Sequence, residues 1–285
     1  MPRRRQPLMS YGIFLLAHDL FRTGFQHIPP VTLLAVLAQA ALFVGIINPP
    51  WEGYEVCLSG ESILYYKDYR RLILSAIEHA DDLHLYHNMV SLILKGRTLE
   101  SRYGSLKFSV ILLVFMTSTS GMYVALSKAL YMYFDDYSYM KQCAIGFSGV
   151  LFALKVLTTF EGGGTRWIHG FEVPSKLSVW VELLIIHILV PRSSFIGHLA
   201  GILVGILYMF GPLRIIVDSL CYLLRGRLFF DIGRPSYYRS YTYDHGTSSF
   251  HQSSGYRQEA YGWNRDLHEE FDEDELRRRR LHRFS

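Results

Sequence analysis

The sequence predicts an all-α polytopic membrane protein, with six transmembrane helices followed by a disordered cytosolic C-terminal tail. Three observations carry this. Half of the 285 residues are hydrophobic and the mean hydropathy is slightly positive, which is apolar for a soluble chain of this length. The apolar residues come in runs separated by polar loops rather than being spread evenly. Beyond residue 224 the runs stop, and a stretch rich in Tyr, Ser, Gly and His follows without apolar periodicity. A net charge of +4 suggests no nucleic-acid footprint across the surface. Three cysteines, Cys57, Cys143 and Cys221, make no disulfide framework, and the absence of a Cys-x-x-Cys pair argues against zinc. The expected division is a cytosolic N-terminus over residues 1–30, a helical core over 31–217 and a tail over 218–285.

The chain opens on Met1-Pro2-Arg3-Arg4-Arg5, which has the charge of a signal-peptide n-region. The apolar stretch behind it runs into His18, Asp19 and Arg22 with no small-x-small cleavage site, so a retained interfacial helix is expected. Ile13, Leu16, Leu20 and Phe21 would share its apolar face. The first span covers residues 31–48, bracketed by Pro29-Pro30 and Pro49-Pro50. Residues 51–82 are polar and aromatic, a loop with some structure of its own. A weak second span over 83–94 carries His84, His87 and Asn88. The third, 108–127, is free of charge until its end and is the best helix in the chain. The fourth, 142–160, holds Ser148 and is interrupted by Lys155, expected to snorkel to the cytosolic surface. The fifth, 177–190, contains Glu182 and His187, either facing a cavity, paired with each other or simply buried. The sixth, 194–210, holds His198 and ends before Gly211-Pro212. Polar residues in such helices face the bundle interior or a wet cavity, since each costs a few kcal/mol against lipid.

Basic residues in the short loops set the orientation. With a cytosolic N-terminus, Arg3, Arg4, Arg5, Arg22, Lys95, Arg97, Arg102 and Lys107 collect on the cytosolic side, and the opposite side is poorer in Lys and Arg. Six spans return the C-terminus to the cytosol. The last twenty residues are acidic first and basic last, which suits a helix dipole. Leu276, Arg279, Arg280 and Arg283 share a face, the pattern of a short partner-binding segment.

The chemistry centres on Gly146-Phe147-Ser148-Gly149. A serine between glycines inside a membrane helix has a packing reading, as small residues that admit another backbone. Fifty positions later, Gly197-His198-Leu199-Ala200-Gly201 opens another apolar run with a histidine. Ser148 follows Lys141 by a few residues and His198 follows Arg192 likewise, so both sit on the order of 10 Å below the non-cytosolic surface at roughly 1.5 Å per residue. Gly197, Gly201 and Gly205 repeat every fourth residue, and Gly146, Gly149 and Ala153 supply small residues on the serine helix. The helices can therefore approach until a ring nitrogen meets the serine hydroxyl. His84 and Asn88, four apart and on one face, lie near the same level behind Asp81-Asp82. They could glue helices, or they could donate to the oxyanion of an acyl-transfer reaction together with the Ser148 N–H.

These residues resemble the rhomboid family of intramembrane serine proteases. The family carries Gly-x-Ser-Gly on its fourth helix, a histidine followed by small residues on its sixth and His-x-x-x-Asn on its second. All three stand here in that order, and Gly96-Arg97-Thr98-Leu99-Glu100-Ser101-Arg102-Tyr103-Gly104 resembles the family's turn into its third helix. The resemblance implies the six-helix rhomboid fold, with Ser148 as nucleophile, His198 as general base in a dyad without a carboxylate, and His84 and Asn88 lining the oxyanion hole. Gly146, Gly149 and Gly201 would support the site, and Phe152 would orient the imidazole by stacking. Many rhomboids have Tyr where Phe152 stands, and the Trp-Arg signature of the family's first loop is not evident between residues 51 and 82.

The stretches His79-Ala80-Asp81-Asp82-Leu83-His84 and 143–156, and the basic end of the tail, resemble the endoplasmic-reticulum branch of the family. That implies a multi-pass protein of the endoplasmic reticulum membrane with its site toward the lumen, cleaving membrane-protein substrates in ER-associated degradation. It also implies that Arg277, Arg278, Arg279, Arg280, Leu281, Arg283 and Phe284 bind the valosin-containing AAA ATPase. The branch's ubiquitin-interacting helix is matched only by acidic residues over 269–275, without its Ala-x-x-x-Ser, so ubiquitin binding is not carried over. No cofactor or metal is implied. Cys57 and Cys143 both face the lumenal side and could pair, and His79 and His87 flank the proposed oxyanion helix. Two rivals stand beside the protease. One is a catalytically dead rhomboid that holds clients for the ATPase, although such relatives usually lose the serine or histidine. The other is a transporter with a polar midplane path, against which the lack of an inverted repeat argues.

Overall fold

The computed structural model of the chain describes residues 10–160, 165–168, 171–190 and 193–228. The chain divides into two units, residues 1–233 and 234–285. The expected disordered stretch, acidic segment and basic residues 277–284 fall outside the described residues. In chain order the helices are α1 (Tyr11–Thr23), α2 (Pro30–Phe43), α3 (Gly60–Leu64), α4 (Arg71–Ile77), α5 (Asp82–Tyr103), α6 (Ser105–Phe134), α7 (Ser138–Lys141), α8 (Ser148–Phe160), α9 (Ser178–Leu189), α10 (Phe195–Met209) and α11 (Pro212–Leu228).

Six of these, α2, α5, α6, α8, α9 and α10, occupy the six apolar runs. Among the described residues α6 alone is long and apolar enough to cross a bilayer as a single helix. The pair α10–α11 passes the same test together but bends by 70°. The bend falls at Gly211, whose φ of +127° an L side chain rarely adopts, followed by Pro212, which begins α11 where its missing N–H costs nothing. Helix α11 runs on to Leu228, across the boundary expected at residue 217. The all-α expectation needs one amendment: β1 (Thr165–Ile168) and β2 (Phe171–Pro174) pair antiparallel between α8 and α9, with Thr165 opposite Pro174.

Helix α8 packs most extensively on α10, and α6 lies against both. Within lipid, association rests on close packing and hydrogen bonds rather than on water exclusion. The core between these helices is accordingly tight: Phe115, Leu154, Leu157 and Val204 are almost wholly buried. Helix α5 is started by Asp81, whose side chain accepts from the His84 N–H at 2.7 Å, a cap of the usual acidic kind. Near its other end the buried Glu100 carboxylate accepts from Val31 N, Thr32 N, Thr32 Oγ1 and Ser105 Oγ, all at 2.8–2.9 Å. One charge thus caps α2 and ties α2, α5 and α6 together.

Helix α1 differs from its expectation. Gly12, Leu16 and Leu20 are buried, but Phe21 is exposed at 73%, and the buried face is turned to α5. Gly12 N donates to Asp82 Oδ2 at 2.7 Å, Tyr86 Oη donates to Asp19 Oδ2 at 2.9 Å, and Thr32 on α2 packs into Gly96. The order of these contacts means that α1 descends along α5 in the same direction. It packs on the bundle instead of lying interfacially, and it begins at the site end, where α5 begins, not at the opposite end expected for a cytosolic N-terminus.

Candidate active site

Ser148 is the first residue of α8, although the apolar run that holds it begins at residue 142. Its six leading residues are a pinned non-helical segment that turns at Gly146. Leu58 and Ala144 exchange backbone hydrogen bonds at 2.8 Å in both directions. Cys57 and Cys143 are disulfide-bonded across a Cα–Cα distance of 5.6 Å. Tyr123 Oη donates to the Gln142 carbonyl at 2.9 Å, and Gly146 N donates to the Ser75 carbonyl at 2.8 Å. Gly146 has φ +115°, and a Cβ there would lie 2.5 Å from His84 Cε1. A left-handed turn and a close approach both require glycine.

The turn at Gly146 leaves Ser148 at a helix N-terminus, where the first N–H groups have no carbonyl inside the helix to bond. Its hydroxyl lies 2.9 Å from His198 Nε2 on α10. Helix α10 begins one turn earlier, at the cap formed by Ser194 Oγ accepting from Gly197 N at 3.1 Å. His198 is 4% exposed. Its Nδ1 has no hydrogen-bond partner among the described residues, so no carboxylate or carbonyl orients the ring. Phe152, one turn after Ser148, stacks on the imidazole with centroids 4.6 Å apart and planes at 30°.

The glycines explain how the helices come this close. A Cβ on Gly201 would fall 2.0 Å from the Gly149 carbonyl oxygen, one on Gly149 would fall 3.2 Å from the Gly197 carbonyl oxygen, and one on Gly205 would meet Val156 and the Ala153 carbonyl at 2.7 and 2.8 Å. The backbones therefore touch from the level of Ser148 to that of Val156. The imidazole of His84 lies against Gly146, two residues ahead of the serine. Asn88 is buried, and its side-chain amide donates to the His84 carbonyl at 2.9 Å. The recorded bond of that amide is thus to its own helix and not to Ser148.

Other polar residues sort differently from expectation. Lys155 does not snorkel: it is ion-paired to Glu182 at 2.5 Å, joining α8 to α9, with its side chain only 15% exposed. Glu182 is therefore not paired with His187, whose ring meets Phe195 at 5.1 Å. His79 is buried, with neither ring nitrogen hydrogen-bonded among the described residues, and its ring stands edge-on to His84 at 5.3 Å. Trp51, in the loop without a Trp-Arg signature, donates through Nε1 to Glu78 at 3.0 Å. Tyr123 and Ser75 hold the serine loop and had no signal in the sequence, because each acts across a long sequence separation. Among the described residues no group of His, Cys, Asp or Glu could hold a metal ion.

A helical bundle with a buried serine–histidine contact between glycine-packed helices has a counterpart among known families. The family model for the rhomboid domain matches residues 66–215, and the chain belongs to the rhomboid family. It is a membrane protein accordingly. Within the family it is similar to Rhomboid-related protein 4 of Homo sapiens, at 41% identity over 251 residues that cover 88% of this chain and 77% of that protein. Rhomboid-related protein 4 of Pongo abelii is 35% identical over an alignment of 319 positions spanning 99% of each chain. More distantly, Rhomboid-type serine protease 2 of Yarrowia lipolytica is 23% identical over 202 residues, 70% of this chain and 65% of that one.

Proposed function

We propose that the chain is an intramembrane serine endopeptidase that cleaves transmembrane or membrane-proximal segments of other membrane proteins. The observation that carries this reading is the hydrogen bond between Ser148 Oγ and His198 Nε2. In the reaction, Ser148 Oγ attacks a substrate carbonyl while His198 Nε2 takes the hydroxyl proton. The oxyanion forms at the N-terminus of α8, where backbone N–H groups point outward and the helix dipole favours negative charge. His84 lies beside this point and supplies an imidazole donor. Asn88 joins it by turning its amide away from the His84 carbonyl. His198 returns the proton to the departing amine, leaving an acyl-enzyme. Water, deprotonated by the same imidazole, then releases the second fragment. Stacking by Phe152 replaces the orienting carboxylate of a triad.

The site end of the bundle faces the lumen of the endoplasmic reticulum, a reading supported by the basic residues Lys95, Arg97, Arg102 and Lys107 near the opposite end. The serine-protease name of a distant relative and the retention of both dyad residues favour catalysis over a client-holding role. For the tail, the proposed partner of residues 277–284 is the valosin-containing AAA ATPase, which would draw cleaved fragments from the membrane.

The test is co-expression of a single-pass client with wild type, Ser148→Ala and His198→Ala. Fragments are expected only with wild type, and wild-type fragments from both variants would refute the dyad. Deleting residues 277–284 should remove the ATPase from a pull-down and leave cleavage intact. Retained binding would overturn that assignment.

A further inference from the structure

At the end of the bundle opposite Ser148, the segment between α1 and α2 stands off from α5 and leaves an open cleft of about 430 Å³. Its walls are His27 and Pro29 on one side, and Leu94, Arg97, Thr98 and Ser101 on the other. The size is that of a small-molecule site. Its lining is sorted along α5. Leu94, 64% exposed, lies toward the middle of the bundle. Arg97 and Thr98 come one turn nearer the helix end, and Ser101 a further turn.

The polar end of the cleft offers donors and no acid. Among the described residues Arg97 has no hydrogen-bond or ion-pair partner, and the lining contains no carboxylate. The nearby Glu100 is turned away, its oxygens filled by Val31, Thr32 and Ser105. The Nδ1 of His27 lies 3.1 Å from the Thr23 carbonyl, so it donates there and Nε2 is left to the cleft. An arginine fork and two hydroxyls converge on the chemistry of a phosphate group, with the His27 ring beside them.

We propose that this cleft binds an anionic phospholipid, with the headgroup phosphate on Arg97, Thr98 and Ser101 and an acyl chain lying along Leu94. The apolar wall at Leu94 and Pro29 selects a lipid over a free phosphate ion. The lack of a carboxylate selects an anionic headgroup over choline or ethanolamine, whose cation would find no partner. A basic pocket between helices at a membrane surface is a recognised form of lipid site. Nothing in this depends on the dyad being active.

The experiment uses full-length protein purified into phosphatidylcholine nanodiscs with and without phosphatidylinositol, read by native mass spectrometry of retained lipid. Wild type is expected to retain phosphatidylinositol over phosphatidylcholine, and Arg97→Gln to lower that preference about tenfold, as expected for loss of one charged pairing. Arg214→Gln, on the exposed face of α11, should leave it unchanged. Equal losses in both variants would mean generic charge attraction and overturn the site. Displacement of the lipid by millimolar inorganic phosphate alone would make it a soluble-anion site and equally overturn the proposal. If Arg97→Gln fails a melting control, the double variant Thr98→Val/Ser101→Ala carries the test, with the same loss expected and an unchanged preference refuting the site.

Discussion

Replacing Gly201 by alanine adds a single methyl at the closest point between the serine and histidine helices. That Cβ would stand 2.0 Å from the Gly149 carbonyl oxygen and 3.1 Å from Phe152 Cβ. Backbone cannot fold away as a flexible side chain can, so α8 and α10 must separate by about 1 Å or more to restore ordinary contact. The Ser148–His198 bond, 2.9 Å long, spans the same gap and opens with it. A misplacement of about 1 Å at reacting groups costs roughly 100-fold in rate, or about 2.7 kcal/mol of barrier. The assay is cleavage of a single-pass client by purified protein in proteoliposomes, run beside the rate at which a fluorophosphonate labels Ser148. A melting curve would detect the overpacking penalty, typically about 1–3 kcal/mol. Gly205→Ala, whose Cβ meets its neighbours at 2.7 and 2.8 Å, should lose less, and Gly149→Ala, at 3.2 Å, least. A folded Gly201→Ala that cleaves and labels within about threefold of wild type would refute the view that this contact sets the dyad distance.

Gly146→Ala combines a φ of +115° with a clash against His84; backbone strain of roughly 1–3 kcal/mol and a displaced imidazole should lower both melting temperature and labelling rate. Lys155→Met or Glu182→Met alone leaves one charge unpaired between α8 and α9 and should destabilise by about 1–3 kcal/mol, below the fully buried range because both groups keep some solvent. The double variant should recover most of that loss, and additive losses in a melting assay would show that the pair is inert. Glu100→Ala removes the acceptor for four donors and should cost about 2–4 kcal/mol in denaturant unfolding, while a client-cleavage assay below the melting transition shows little change.

The apolar runs were sufficient to locate α2, α5, α6, α8, α9 and α10, because hydropathy is a local property that each segment carries by itself. The spacing of Gly197, Gly201 and Gly205 against Gly149 and Ala153 also pointed to the helix pair that packs tightest, and equal depth placed Ser148 opposite His198. What local pattern missed was decided by partners far away in sequence. Residues 142–147 read as the start of a helix, but pairing of Ala144 with Leu58 and the disulfide to Cys57 hold them out of it. Lys155 looked like a snorkelling lysine because Glu182, 27 positions on, was not visible as its partner. The helix α1 had an interfacial pattern, yet Gly12 admits the Asp82 backbone, and with buried Leu16 and Leu20 and the Tyr86–Asp19 bond it docks on α5. The strands β1 and β2 lie in a segment without strong alternation. Arg97 entered only as one charge among many, and its place beside His27 required the fold of the segment before α2.

The pinned segment ahead of Ser148 has a consequence for the order in which the protein is made. Its anchors, Cys57, Leu58 and Ser75, emerge well before it, and the tyrosine that holds Gln142 lies on α6, also earlier in the chain. The partners that hold the serine loop are therefore all present as soon as α8 is in place. The base proposed for it is not: His198 follows fifty residues later, beyond β1, β2 and α9. Throughout that interval the proposed base is missing, and the glycine contact that would bring it near does not yet exist. On the proposed mechanism, a chain stalled or truncated before α10 lacks the residue that would activate Ser148 and is expected not to cleave. Under the proposed dyad, the split of the two residues between distant helices delays reactivity until α10 is in place.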